Sequence, residues 1–447
     1  MSRRPFSRRL SRRRRRRVET PGSWWWAGVA LVCLGLVSGC TAGPAVHSAR
    51  TPSGRTASGQ VSRRDFQPTS HDFADIRHLL ATRARDILDG RRRAFLNTID
   101  HRSGKLVQQQ KALFANLRAL PVKTITYNVQ DYGLTPAEVA GLGVVLAPPV
   151  MEHVLLAGTD ARAVANAVNY TFVRRHGRWL VGAVQPPSAG TENGYSRPWA
   201  GPPITVVKRG PLLVVVDESD GAQATALAGR VVSDIDFVSR TLHQPVNMHV
   251  LVDATTTGSA VKMGVTDSQE AAAVTYPAGA ANGFSPAGIA GWRVKINPRQ
   301  IGTLMSDQHL LRHELTHFVL RHYTSYLPLW LNEGTAQYVG YQPFDFADYQ
   351  VGPGLYRKLM APPHALPGSG VFYLYPQVDY LVGQATVTYL VDRFGIDRLL
   401  ALISAYKKAY NGLDADSHNN QVLEQVYGIS AKRAAAGGYR LLAELHH

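Results

Sequence analysis

A disulfide framework is excluded before any motif is read. The chain of 447 residues has two cysteines, Cys33 and Cys40, both near its start. Stability therefore has to come from buried apolar surface, and a chain of this length can supply two cores. Acidic residues are scarce as well, 32 against 49 lysines and arginines, for a formal net charge of +17. A confident membrane span is missing too. The most apolar stretch, Trp24 to Val37, has 14 residues, where a spanning helix needs about 20.

The surplus positive charge is concentrated at the start. Ten arginines lie between Arg3 and Arg17, followed by that apolar stretch and Ser38-Gly39-Cys40. A basic segment, a short apolar segment and small residues predict a bacterial secretion signal over 1–39. Val37-Ser38-Gly39-Cys40 resembles a lipobox, which implies that Cys40 carries a lipid and anchors the chain to the outside of the cell membrane. The alternative for Cys40 is an ordinary apolar cysteine like Cys33. Ser2-Arg3-Arg4-Pro5-Phe6 also resembles the start of a twin-arginine signal, so both export routes stay open. The ten arginines, offset by Glu19, account for nine of the net charge, leaving +8 without the signal. What remains is scattered in short groups such as Arg91-Arg92-Arg93 and Lys407-Lys408. That suits a location near anionic lipid or wall polymer and gives no nucleic-acid footprint.

Residues 40–69 are rich in Ser, Gly, Thr, Pro, Ala and Arg, a composition that predicts a disordered tether. From 70 to 185 the pattern is helices first and strands afterwards. Apolar residues recur at helical spacing from Phe73 to Leu88, and further helices are predicted over Arg93–Ile99 and Leu106–Leu120. Period-two segments follow at Val122–Val129, Val150–Leu156, Ala165–Arg174 and Trp179–Val184, the last two flanking a His176-Gly177 turn. This is an α+β unit. Its closing strand pair, Tyr170 to Val181, resembles the nuclear transport factor 2-like fold, which implies a cone of helices wrapped by a curved sheet. On that resemblance the first domain is a docking module for a protein, or a small-ligand binder. No convergent polar set is visible in its sequence.

A Pro/Gly/Ser-rich linker is predicted over 186–203, and a second α+β domain over 204–447. Strands are expected at Leu212–Val216, Val246–Val252, Ala271–Tyr276 and Trp292–Ile296, with a helix over Ala222–Leu242. The C-terminal part reads as helical at Val378–Phe394, Ile396–Lys408, Asn419–Tyr427 and Ala431–Leu445.

Between these halves lies His313-Glu314-Leu315-Thr316-His317. Imidazoles at i and i+4 project from one helical face, so both reach a single metal ion, and the intervening Glu can serve as a general base. A catalytic zinc takes three protein ligands and keeps one position open. Such a motif also arises by chance on surface helices. Here the flanks, Leu310-Leu311 and Phe318-Val319-Leu320, are apolar, and buried His and Glu are uncommon unless paired or bound to metal. A metzincin site is excluded: Leu320 and Tyr323 stand where that pattern needs Gly and His, and His322 is one residue early.

Trp330-Leu331-Asn332-Glu333-Gly334-Thr335-Ala336-Gln337-Tyr338 resembles the second zinc segment of the gluzincins, as in the aminopeptidase N family. The shorter spacing from His317 is closer to the smaller bacterial peptidase MA-like proteins, and the likeness runs from Arg197 to the C-terminus. It implies a zinc metallopeptidase with His313, His317 and Glu333 as ligands and Glu314 as general base. It also implies an oxyanion donor, assigned to Tyr380 with Tyr375 as second choice, and an edge strand that pairs with extended substrate. The Gly-x-Met-Glu-Asn strand that anchors a substrate's free amine in aminopeptidase N is missing, which favours an endopeptidase. Asp267 and Glu270 remain as possible amine anchors. A non-catalytic zinc-binding or partner-binding envelope lipoprotein is the alternative, weakened by Glu314, which a purely structural zinc does not need. If Cys40 carries the anchor, Cys40→Ser releases the protein from the membrane fraction or leaves the signal uncleaved. Unchanged processing and membrane association would refute the assignment.

Overall fold

A computed structural model describes residues 68–131, 145–185, 197–257, 273–280, 288–412 and 414–445. The predicted signal, Cys40, Asp267 and Glu270 lie outside these residues, as does nearly all of the predicted tether. The first helix, α1 (Ser70–Leu88), begins at a reciprocal cap. Thr69 Oγ1 accepts from the Asp72 N–H at 3.3 Å, and the Asp72 carboxylate accepts from the Thr69 N–H at 2.9 Å. Then come α2 (Arg92–Leu96) and α3 (Gly104–Ala119), the latter capped by Ser103.

Strands β1 (Val122–Val129), β2 (Val145–Leu146), β3 (Pro149–Leu156), β4 (Val164–Arg175) and β5 (Arg178–Gln185) form an antiparallel sheet. Its order is β1-β3-β4-β2, with β5 also paired to β4. Along β4, Asn166, Val168, Tyr170 and Phe172 are buried on one face, as the two-residue period of a strand requires. The predicted turn between β4 and β5 is there: His176 and Gly177 take φ of 48° and 76°, the left-handed pair of a tight hairpin.

The second unit opens with β6 (Ile204–Arg209), β7 (Leu212–Asp217), α4 (Gly221–Thr241), β8 (Leu251–Ala254), β9 (Ala273–Gly279) and β10 (Ile289–Ile296). Its sheet has the order β6-β7-β8-β10-β9, parallel in the middle and antiparallel at both ends. Helices α5 (Ile301–Ser306), α6 (Gln308–Val319), α7 (Leu329–Tyr341), α8 (Pro353–Leu359), α9 (Pro376–Phe394), α10 (Ile396–Ala409), α11 (Asn419–Tyr427) and α12 (Ala431–Ala443) complete it. The described residues are thus mixed α+β with two sheets. No helix among the described residues is long and apolar enough to cross a membrane.

Some strands differ from the sequence reading, and the two-residue β2, which pairs with β4, was not expected at all. The one expected over Val246–Val252 begins only at Leu251, where β7 and β10 become available as partners on its two sides. Strand β6 went unread because it runs into Lys208-Arg209-Gly210-Pro211; pairing with β7 across that turn forms it.

The sheet of the second unit is covered on both faces. Leu212, Val214 and Val216 of β7 join the core shared with α4 and α6. Leu213 and Val215, on the other face, join Leu251 and pack with Ala84, Leu117 and Val154 of the first unit. Each such apolar side chain stabilises the junction by about 1.5–3 kcal/mol. The described part of the predicted linker, 197–203, is itself built into this contact. Trp199 is buried, and Asn116 donates to the Trp199 and Pro202 carbonyls at 3.2 and 2.8 Å. Arg293 of β10 makes a buried pair with Asp160 at 2.7 and 3.1 Å. Asp160→Ala would strand that guanidinium, so it lowers stability by about 3–5 kcal/mol. The double variant Asp160→Leu/Arg293→Met recovers most of the loss. An unchanged urea midpoint in Asp160→Ala would contradict this account of the junction.

Candidate metal centre

Helix α6 starts where Asp307 accepts from the His309 N–H at 2.9 Å. Leu311, Leu315 and Phe318 fix its orientation by entering the core. Arg312 ties it to two neighbours. Its Nε donates to Asp234 of α4 at 3.0 Å, and its terminal nitrogen donates to the Gln342 carbonyl just past α7 at 2.9 Å. Helix α7 is held in turn by α9. A Cβ on Gly334 would stand 2.5 Å from the Gly383 carbonyl oxygen, so the two backbones approach as only glycine permits.

With α6 and α7 fixed, three donors converge. His313 Nε2 and His317 Nε2 are 3.3 Å apart, and Glu333 Oε2 lies 3.3 and 3.4 Å from them. All three residues are buried. A tetrahedral zinc with bonds of about 2.0–2.1 Å has ligand atoms about 3.3–3.4 Å apart along each edge. The donor set therefore matches one face of such a tetrahedron, and the residues fit the metal. The electrostatics agree with a cation site. Burial holds the His313 imidazole down at about 4, in its neutral, ligating form at neutral pH. Burial alone would raise the Glu333 carboxyl, but the imidazoles of His317 and His313 outweigh it and hold it at about 2. Asn332 Nδ2 donates to the other Glu333 oxygen at 3.4 Å.

Glu314 has the opposite character. It is 3 % exposed, and its Oε2 has no hydrogen-bond partner within the protein. Burial first, and the charge of Glu333 second, push its carboxyl well above the usual range. Its backbone carbonyl accepts from Thr275 Oγ1 of β9 at 2.8 Å, which fastens the middle of α6 to the sheet. Strand β9 is the terminal strand of its sheet, and no strand pairs with its outer edge among the described residues. Of the last two strands before the helices, β9 and β10, β9 is the one with an open side.

The remaining sequence-predicted residues divide. Tyr380 of α9 is buried, with its ring centroid 6.1 Å from that of His313. Tyr375 is 67 % exposed, so the two tyrosines are not alike in placement. His309 is accounted for by Asp307 and by Tyr341, its ring centroid 3.8 Å from the latter's. His322 is exposed and lies beyond the end of α6. Thr275, Arg312 and Asn332 have supporting positions that sequence reading did not assign. Each acts through contacts between elements or neighbours that no spacing rule marks. No family model, curated protein or solved structure matches this chain.

The purified protein should hold about one zinc per chain, since the three donors define a single site. His317→Ala should lose most of it and Glu333→Ala much of it. Full zinc content in both variants, measured by atomic emission, would remove these residues from the metal site.

Proposed function

We propose that this chain is a zinc-dependent metallopeptidase of the gluzincin kind, an endopeptidase acting outside the cytoplasm from a lipid anchor on the bacterial cell membrane. The observation that carries the reading is the convergence of His313, His317 and Glu333 beside a buried carboxyl, Glu314, with an unpartnered oxygen. A structural zinc is closed by four protein ligands and has no use for a neighbouring base. The edge strand beside α6 and the helices beyond α7 support that reading of the second unit. The helices and antiparallel sheet of 70–185 suit a nuclear transport factor 2-like domain.

Bound zinc would supply Lewis-acid polarisation of a carbonyl and acidify water at its open position. The protein's own residues do the rest. Glu314 takes a proton from the attacking water and passes it to the leaving amine. Its fixed place on α6 favours both transfers. An extended peptide pairs with the open edge of β9, which brings its scissile bond alongside Glu314 through the Thr275 contact. Tyr380 is the donor assigned to the developing oxyanion. The sequence has no Gly-x-Met-Glu-Asn segment to hold a substrate's ammonium, whose burial without a partner is costly, so cleavage within peptides is favoured.

Glu314→Gln should keep its zinc and lower turnover of a peptide library by about 10²–10⁴-fold. Activity equal to the parent would remove Glu314 as the base. Acetylated and free peptides should be cut alike at internal bonds. Release of single N-terminal residues from the free peptides alone, read by mass spectrometry, would overturn the endopeptidase reading.

A further inference from the structure

We infer that the interior of the first unit is a binding site for a small carboxylate that also carries a hydroxyl or ammonium group. The inference rests on polar side chains remote in sequence from the metal centre and is independent of the peptidase reading.

The helix-covered face of the first sheet carries a polar row. Tyr127 on β1 is paired in register with Glu152 on β3, and Glu152 with Asn166 on β4. Tyr170 lies four residues beyond Asn166 on the same face, with its ring 6.1 Å from that of Tyr127. From the helices, Arg83 of α1 and Gln110 of α3 enter the same interior, both fully buried. Arg83 donates to Thr98 Oγ1 and to Gln110 Oε1, and lies 4.1 Å from the Phe95 ring centroid. Neither hydrogen-bond partner is charged.

The nearby acid does not complete this set. Both oxygens of Glu152 accept from Arg197 at 2.9 Å, and Trp199 Nε1 donates to it at 3.2 Å. Glu152 is the carboxylate that acts on Arg83. Arg83 and Arg197 together therefore face one negative charge, and one buried positive charge is left over. Burying an uncompensated guanidinium is costly, and native structures seldom carry one. Four polar atoms in the same interior also have no partner within the protein: Arg83 Nε, Gln110 Nε2, Asn166 Oδ1 and the Tyr170 hydroxyl. The first two are donors next to the surplus charge, because Gln110 is bonded to Arg83; Asn166 Oδ1 is an acceptor, and the hydroxyl can do either. A carboxylate would satisfy the donors and neutralise the charge, and an adjacent hydroxyl or ammonium would satisfy Asn166.

The test is calorimetric titration of the full chain with lactate, glycine, acetate and inorganic phosphate at matched ionic strength. Lactate or glycine should saturate at one per chain and bind about tenfold tighter than acetate, which lacks the second group. Arg83→Gln should weaken binding about tenfold or more. Gln110→Leu and Asn166→Leu should each weaken it too, and they decide the matter if Arg83→Gln fails to fold. Stripping the metal with a chelator should leave this binding unchanged, which separates this site from the metal centre. No saturable binding of any carboxylate, phosphate binding in their place, or undiminished affinity in every folded variant would overturn the proposal.

Discussion

Three lone-pair donors brought within 3.4 Å of one another in a water-poor core form the constraint on which the second unit depends. Two neutral imidazoles and a carboxylate cannot satisfy each other by hydrogen bonds alone, because the proton count does not suffice for three mutual contacts. A cation at their centre resolves the conflict. Without one, burial acts against both His313 protonation and Glu333 ionisation, so the cluster would be a liability in an ordinary core. The surrounding architecture keeps the donors together despite that cost.

The supporting contacts reach in from four directions. Asp234 on α4 grips α6 through Arg312, and the Gly334–Gly383 contact sets α7 against α9. Thr275 joins the Glu314 backbone to the edge strand, and Asn332 braces Glu333. Further out, the first unit covers the far face of the sheet and pairs Asp160 with Arg293 on β10. The first unit also packs Val164 against Ala278 of β9, the strand whose Thr275 reaches α6. The first unit is therefore part of the scaffold, whatever it also binds.

The three converging donors were legible because their signal is local or nearly so. His313 and His317 share a face by helical period, Glu333 sits in a distinctive nine-residue segment, and apolar flanks announce burial. Strands such as β1 and β4 and the His176-Gly177 turn were legible for the same reason, through alternation and left-handed turn chemistry. What could not be read depends on contacts distant in sequence. The polar row Tyr127, Glu152 and Asn166 comes from three strands whose register no short window encodes. Arg83 looks like any helical arginine until the sheet closes over it. Trp199 looked like part of a linker because its partner, Glu152, lies 47 residues away.

Zinc K-edge absorption of the purified protein tests the central claim most directly, since it reads the ligand shell rather than its consequences. The account predicts two imidazole nitrogens at about 2.0–2.1 Å, a carboxylate oxygen at about 2.0–2.2 Å and at least one solvent oxygen, with no sulfur. A shell without imidazole scattering, or one closed by four protein ligands, would contradict it.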